Sequence, residues 1–326
     1  MAKLAIREAL NQALAEEMER DPSVFLMGEE VAEYDGAYKV SKGLLQQFGA
    51  KRVIDSPISE AGFAGLGVGA AMLGLRPVIE MMTWNFGIQG FDQIINHAAK
   101  LHYMSGGQFK IPIVYRGPNG AAHMLSSQHS QNVDPMLSNV PGLKVVSIST
   151  PADAKGLLKA SIRDDNPVIF LESEMMYGFQ GEVPDGEHII PLGLGDIKRP
   201  GDDITLITWG KVTHKALEAA SALEQMGIRA EVIDLRSLVP LDETLIFHSI
   251  RKTNRCVIVE ENWPVSSFGS YVAERIQYEC FDHLDAPIGK VCQTATPVPY
   301  AENLEELALP RVDAIIAAAK KATYKK

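Results

Sequence analysis

The stretch "RVIDSPISEAGFAGLGVGAAMLGLRPVIEMMTW", residues 52–84, decides the fold. It reads as a short apolar strand, a polar turn, a helix of small residues and a second apolar strand. Both strands lack the apolar-polar alternation of a half-exposed sheet, so they belong to a sheet covered on both faces. The same alternation extends in both directions. "SVFLMGEE" precedes it, while "IPIVYRGPNG", "LKVVSIST" and "PVIFLESE" follow, with "FDQIINHAAKLHYMSGG" and "PADAKGLLKASIRD" as helices. Strands alternating with helices of this length predict an α/β fold with a mostly parallel sheet. The amino terminus, "MAKLAIREALNQALAEEMERD", reads as an amphipathic helix, with Leu4, Leu10, Leu14 and Met18 on one face and Glu8, Glu16, Glu17 and Glu19 on the solvated side.

Between about Tyr177 and Gly201 the pattern lapses into "YGFQGEVPDGEHIIPLGLGDIKRPG", rich in Gly and Pro, and a second α/β series then begins with "DITLITWG", "IRAEVIDL", "RCVIVEEN" and "PIGKVCQT". Three parts are expected: a domain over 1–180, a linker over 181–200 and a smaller domain over 201–326. A chain of 326 residues has room for two cores of ordinary size. The formal charge of −10 argues against nucleic acid and anionic membranes as partners, since phosphate binding needs a basic face. The apolar run from Ala61 to Leu75 is shorter than the ~20 residues of a membrane span and is broken by glycines. The amino terminus does not resemble a signal or transit peptide. Three cysteines, Cys256, Cys280 and Cys292, have neither CxxC spacing nor an even count, which suits a reducing compartment and a core role.

Within residues 52–84 one carboxylate stands out. Glu60 heads a segment that carries no further charge until Arg76. An acid in a first helical turn, behind Ser56, Pro57 and Ser59, complements the helix dipole. Gly62, Phe63, Ala64, Gly65, Leu66, Gly67 and Val68 offer it no cation and little water, so its proton affinity is expected to rise. Gly65, Gly67 and Gly69, with Glu80 closing the next strand, loosely mimic a dinucleotide fingerprint. The spacing is wrong for one, because "DSPISEA" separates the strand from the first glycine and Met72 stands where a glycine is required. Neither a GxxxxGK[ST] loop nor a zinc motif occurs. "SSQHSQ", Ser126–Gln131, puts His129 in a polar loop beyond a strand, where ligands of open parallel sheets bind. Trp84 and Phe86 in "MMTWNFG" read as strand core or as an aromatic wall for a flat heterocycle.

"GEEVAEYDGAYKVSKGL", the stretch from Asp55 to Phe86, "DQIINHAAKLHYMSGG", "RGPNGA", "QHSQ", "PGLKVVS", "DAKGLLKASIRDDNPV" and "VIDLRSLVPLD" together resemble one family over nearly the whole chain. It is the beta subunit of the thiamine-diphosphate-dependent 2-oxo acid dehydrogenases, and "ISEAGFAG" with "EMMTWNF" is most similar to the form that acts on pyruvate. The resemblance implies a mostly parallel pyrimidine-binding domain followed by a smaller transketolase C-terminal-like α/β domain. It implies that Glu60 bonds a ring nitrogen of the cofactor's aminopyrimidine and favours the imino tautomer needed to activate it. It makes His129 an acid-base group for acetyl transfer to a lipoyl group. Ile58, Met82, Phe86 and Gln89 match positions lining the aminopyrimidine. Ile113, Ser161, Ile162, Asp164 and Asn166 match a potassium site built mainly from backbone oxygens, which suit a hard cation. His123 has no counterpart.

The diphosphate half of such a site needs magnesium on a GDG motif, and "YDGA", "PDGE" and "PGDD" all fail to provide one. The resemblance therefore implies a separate alpha subunit that holds the Mg2+ and the diphosphate, in a tetramer of two alpha and two beta chains. The other partner implied is a dihydrolipoamide acyltransferase component, docking on the carboxyl-terminal domain around Asp285. Branched-chain 2-oxo acids or acetoin are the alternative substrates, and a non-catalytic scaffold is the alternative role. A cytoplasmic location, or an organelle encoding its own copy, suits such a chain.

Overall fold

A computed structural model of the chain describes residues 1–325; the last residue of the expected 201–326 domain lies outside them. The chain divides into two units, Met1–Gly120 with Met136–Leu192, and Ala121–Pro135 with Gly193–Lys326. The segment 121–135 therefore packs with the second half of the sequence, although it is flanked by strands of the first.

The first unit contains strands β1 (Ala2–Ala5), β2 (Val24–Gly28), β3 (Val53–Asp55), β4 (Arg76–Glu80), β5 (Val114–Pro118), β6 (Lys144–Ser147), β7 (Val168–Glu172) and β8 (Gln180–Val183). Six of them run β6-β7-β5-β4-β2-β3, with every pairing parallel. β2, β5 and β7 are buried along their whole length; the apolar runs of β2 and β7 predict this, whereas β5 buries Arg116 as well. Side chains alternate across the sheet, and β4 shows both faces. Val78 joins the core under the helices Ile6–Arg20 and Pro151–Arg163, while Ile79 meets the helix Glu60–Met72.

The amino terminus departs from the expected single helix. Ala2–Ala5 is extended and pairs antiparallel with β8, and the helix begins only at Ile6. Glu17 also departs, since it is fully buried rather than solvated. The helix Pro151–Arg163 lies against it, and Arg163 donates to both its oxygens at 2.7–3.1 Å while Arg20 adds a bond of 2.8 Å. A charge pattern read from one helix cannot show which of its acids a second helix will cover.

In the helix Glu60–Met72 the glycines have different uses. A Cβ on Gly67 would lie 2.9 Å from side-chain atoms of both Ile79 and Ile113, so this residue lets the helix sit on the sheet; one on Gly69 would meet nothing within 4 Å. Gly67→Ala is therefore expected to destabilise the chain by about 1–3 kcal/mol through overpacking. Gly69→Ala should stabilise it by about 0.5–1 kcal/mol through helix propensity. Urea denaturation of the two variants checks this, and shifts of the same sign would contradict it.

The second unit contains β9 (Asp196–Arg199), β10 (Ile204–Thr208), β11 (Ala230–Asp234), β12 (Ser237–Val239), β13 (Cys256–Val259) and β14 (Gly289–Val291). Its sheet runs β14-β13-β10-β11-β9, parallel except for β9 against β11. Helices Val212–Gln225 and Val312–Ala322 pack on it through Ala216, Ala219, Ala220, Ile315 and Ala319. Helix Glu243–Thr253 is capped by Asp242, whose carboxylate accepts from Leu245 N at 3.0 Å. Cys256 and Cys280 are buried and all three thiols are free. Among the described residues no helix is long and apolar enough to cross a membrane.

Candidate active site

In the first unit the carboxyl ends of β2, β3 and β4 lie side by side, and each feeds a residue into one place. β3 ends at Asp55, and after the turn 56–59 the chain enters its helix at Glu60, which is only 5% exposed. Ser59 stands at the N-cap without a side-chain bond to the helix, and the Ser56 hydroxyl is buried without a partner. β2 runs out into Glu29, 4% exposed, which shares a hydrogen bond with Glu60. Burial pushes the Glu29 carboxyl up to about 7, helped by the negative charge of Glu60, by that shared bond and by the charge of Glu80. Two buried carboxyls in contact cannot both be ionised cheaply, which is why Glu29 keeps its proton up to about 7. Sequence reasoning missed Glu29. The signal was present in "SVFLMGEE", whose acids close a buried strand at the end where parallel sheets bind ligands.

The residues expected to line a heterocycle lie in the segments that follow β3 and β4. Thr83, accepting from Asn85 N at 3.3 Å, starts the short helix Trp84–Gly87 that carries Phe86. Gln89 follows in the turn Ile88–Gly90, and a Cβ on Gly90 would lie 3.3 Å from the backbone oxygen of Glu60. Met82 and Phe86 are half-buried and Gln89 is exposed; Ile58 is 84% exposed, unusual for an aliphatic residue beside a buried acid. Trp84 is fully buried in the core, but in the helix Trp84–Gly87 and not in a strand as expected, since β4 ends at Glu80. The residues fit a flat, nitrogen-bearing ring. Ile58, Met82 and Phe86 leave apolar surface open to contact, and Glu29 Oε1 is buried without a hydrogen-bond partner.

His129 belongs to the second unit, half-buried at the end of the short helix Ser127–His129. Its loop is tied down at several points. Ala121 N donates to Glu261 Oε1 at 2.7 Å, Lys211 bonds the Ala121 carbonyl, and Met124 N donates to Glu305 Oε2 at 3.0 Å. Asn132 bonds the Glu261 carbonyl, and Asp134 accepts from Trp209 Nε1 at 2.9 Å and from Asn262 Nδ2 at 3.0 Å. Burial pushes Asp134 up to about 6, against the pull of these two donors. Met124 and Ser126 have φ of 54° and 66°, so the anchors hold the loop in a form that L-residues enter at a cost. His123 lies 3.8 Å from Glu305.

The residues expected to hold potassium lie at the amino-terminal ends of the strands of the first sheet. Ile113 and Asn166 immediately precede the regions where β5 and β7 begin, and Ser161, Ile162 and Asp164 close the helix Pro151–Arg163. The Ile162 and Asp164 carbonyls each accept from Arg76 Nη1 at 3.0 Å, the Ile113 carbonyl accepts from Val168 N at 2.9 Å, and the Asp164 carboxylate is bonded by Lys144 and Asn166. The Arg76 guanidinium, itself a cation, thus already bonds two of the carbonyls expected to face potassium.

One further cluster escaped the sequence reading. Arg116 in β5, 1% exposed, bonds Glu80 with one nitrogen and Glu172 with two others, and Tyr177 Oη donates to Glu172 Oε2 at 2.7 Å. Burial raises the Glu80 carboxyl despite Arg116.

With this geometry in view, similarity to known proteins can be weighed. The family models for the transketolase pyrimidine binding domain and the transketolase C-terminal domain match residues 2–180 and 193–315. The chain is 55% identical over 326 residues to the pyruvate dehydrogenase E1 component subunit beta of Rhizobium meliloti, covering 100% of this chain and 71% of that one. It is 55% identical over 322 residues to the same subunit of Rickettsia felis, covering 99% of each. The mitochondrial beta-2 subunit of Oryza sativa subsp. japonica is 52% identical over 327 residues, 99% of this chain and 87% of that one. Among solved structures, a split-gene transketolase described as an inactive beta4 tetramer superposes with a TM-score of 0.81 at 25% identity, covering 99% of each chain. A mutant transketolase of Pichia stipitis gives 0.70 at 14% identity over 99% of this chain and 46% of its own, a likeness of fold.

Proposed function

This chain belongs to the family of pyruvate dehydrogenase E1 beta subunits, and on that basis we propose that it is the pyrimidine-binding half of an enzyme that oxidatively decarboxylates pyruvate. The observation that carries the reading is the buried Glu29–Glu60 pair at the carboxyl ends of β2 and β3. Glu60 would hold a proton against a ring nitrogen of the cofactor's aminopyrimidine, and Glu29 would share it. Phe86, Met82 and Ile58 would hold the ring in plane and keep water from it, with Gln89 at the rim. Thiamine diphosphate, when bound, supplies a cationic ring that takes up the electrons released by decarboxylation. His129 would move protons as the acetyl group passes to the lipoyl group of an acyltransferase component, a task that suits an imidazole side chain. An alpha chain would supply Mg2+ and the diphosphate contacts, in a tetramer of two alpha and two beta chains.

Reconstitution with an alpha chain bearing a GDG magnesium motif tests this. Turnover of pyruvate is expected to exceed that of branched-chain 2-oxo acids and of acetoin. A preference for either of the others would move the substrate, and no turnover with any of them would leave the scaffold role. Potassium is proposed at Ile113, Ser161, Ile162, Asp164 and Asn166. Binding to the folded state alone raises its stability, so the full chain should melt higher in potassium chloride than in tetramethylammonium chloride of equal ionic strength. Equal melting temperatures would show that the protein donors already on those carbonyls, Arg76 and the Val168 amide, suffice without potassium.

A further inference from the structure

Four neighbouring strands of the first unit end in ionisable groups, and only one of these groups is used by the cofactor contact proposed above. The register places Gly28, just before Glu29, opposite Glu80; Glu80 opposite Arg116; and Pro118 of the Arg116 strand opposite Glu172. A Cβ on Gly28 would lie 2.9 Å from Glu80 Cβ, so β2 and β4 approach closely where the two acids meet. With Glu60 the group comprises four carboxyls and one guanidinium, none more than 5% exposed. Tyr177 faces Glu172, and Tyr38 beside it donates to Glu174 at 3.0 Å; neither brings a cation. A buried cluster with four acids and one base cannot ionise fully, so it must retain protons. The guanidinium is committed by three bonds to Glu80 and Glu172, which leaves the Glu29–Glu60 pair as the acids without a cation.

We propose that the Glu80–Arg116–Glu172 triad is a positioning element for protons: it fixes the charge behind Glu29 and so keeps a proton on the Glu29–Glu60 pair. Glu80 and Glu172 are positioning residues that act through Glu29 and touch no cofactor. Like charge nearby holds a proton more tightly, so removing the Glu80 or the Glu172 carboxylate lets Glu29 lose its proton at lower pH. The proposal rests on the reading of Glu60 as the cofactor contact for its use in catalysis, but its test does not need the cofactor.

The protonated-carboxyl infrared band of the full chain, carrying 13C-glutamate and no cofactor, is titrated in the wild type and in Glu29→Gln, Glu80→Gln and Glu172→Gln. A transition at about 7 is expected in the wild type and is lost in Glu29→Gln, which assigns it. Glu80→Gln should move it down by about one pH unit, and Glu172→Gln in the same direction by less. A merely structural triad would change the melting temperature and leave the transition where it was; that result in either variant, still folded, overturns the proposal. If one variant does not fold, the other decides. Failure of thiamine diphosphate binding in the assembled enzyme, with the titration as expected, would count against the functional reading alone.

Discussion

Glu60→Gln is expected to lower the rate of pyruvate decarboxylation by the reconstituted enzyme by about 10²–10⁴-fold, the range lost when a positioned acid-base group is removed. Glutamine keeps the shape of the side chain and its reach to a ring nitrogen, but it cannot take up and return a proton. The substitution should leave the fold intact. Ser59 makes no side-chain cap that depends on Glu60, and the change removes one of two carboxyls in buried contact. Assembly with the alpha chain and the melting temperature are therefore expected to stay near wild type while turnover collapses. The decisive comparison is turnover at saturating pyruvate, with cofactor binding measured separately. Wild-type turnover in the variant would remove Glu60 from the proton chemistry, and with it the reading of this unit as a catalytic half-site. Glu29→Gln should be milder, because Glu60 keeps its own titratable oxygen there.

Much of this was legible in residues 52–84. An unbroken apolar run such as "VFLMG" or "VIFLE" can only be a strand covered on both faces, and those runs became β2 and β7. The isolation of Glu60 among small apolar residues was a local property, so its burial could be read from the sequence. The misreadings share one cause, which is that they depend on what a second element does. Glu17 looks like a solvated helix acid until Pro151–Arg163 covers it. Ala2–Ala5 looks helical until β8, nearly 180 residues later, offers it a strand to pair with. His129 sits between strands of the first unit in sequence, yet its loop is held by Glu261, Glu305 and Trp209, none of which a local motif points to. Glu29, Glu80, Arg116 and Glu172 are far apart in the chain, and only the parallel register sets them side by side.

Arg116→Met should be the most damaging single substitution for stability in the first unit. Methionine fills much of the volume but leaves Glu80 and Glu172 buried without their cation, and loss of one partner from a buried ion cluster costs about 3–5 kcal/mol. Tyr177 still donates to Glu172, so the larger burden falls on Glu80, whose remaining neighbours are acids. Protonation is the way out. Burial already raises Glu80 above the usual carboxylate range with Arg116 in place, and removing the cation raises it further. A carboxyl whose folded-state affinity for the proton exceeds its unfolded one adds stability below its unfolded pKa, and that stability is lost as pH rises through the folded value. The deficit of Arg116→Met relative to wild type should therefore be largest in mildly alkaline solution and shrink as the pH falls toward about 5, within the range where native carboxylates commonly titrate. Adding Glu80→Gln should recover part of the alkaline loss, because a neutral amide needs no counter-charge. Urea denaturation of both variants at the two pH values decides it. A deficit independent of pH, unrelieved by the second substitution, would mean that Arg116 contributes by packing and not by charge.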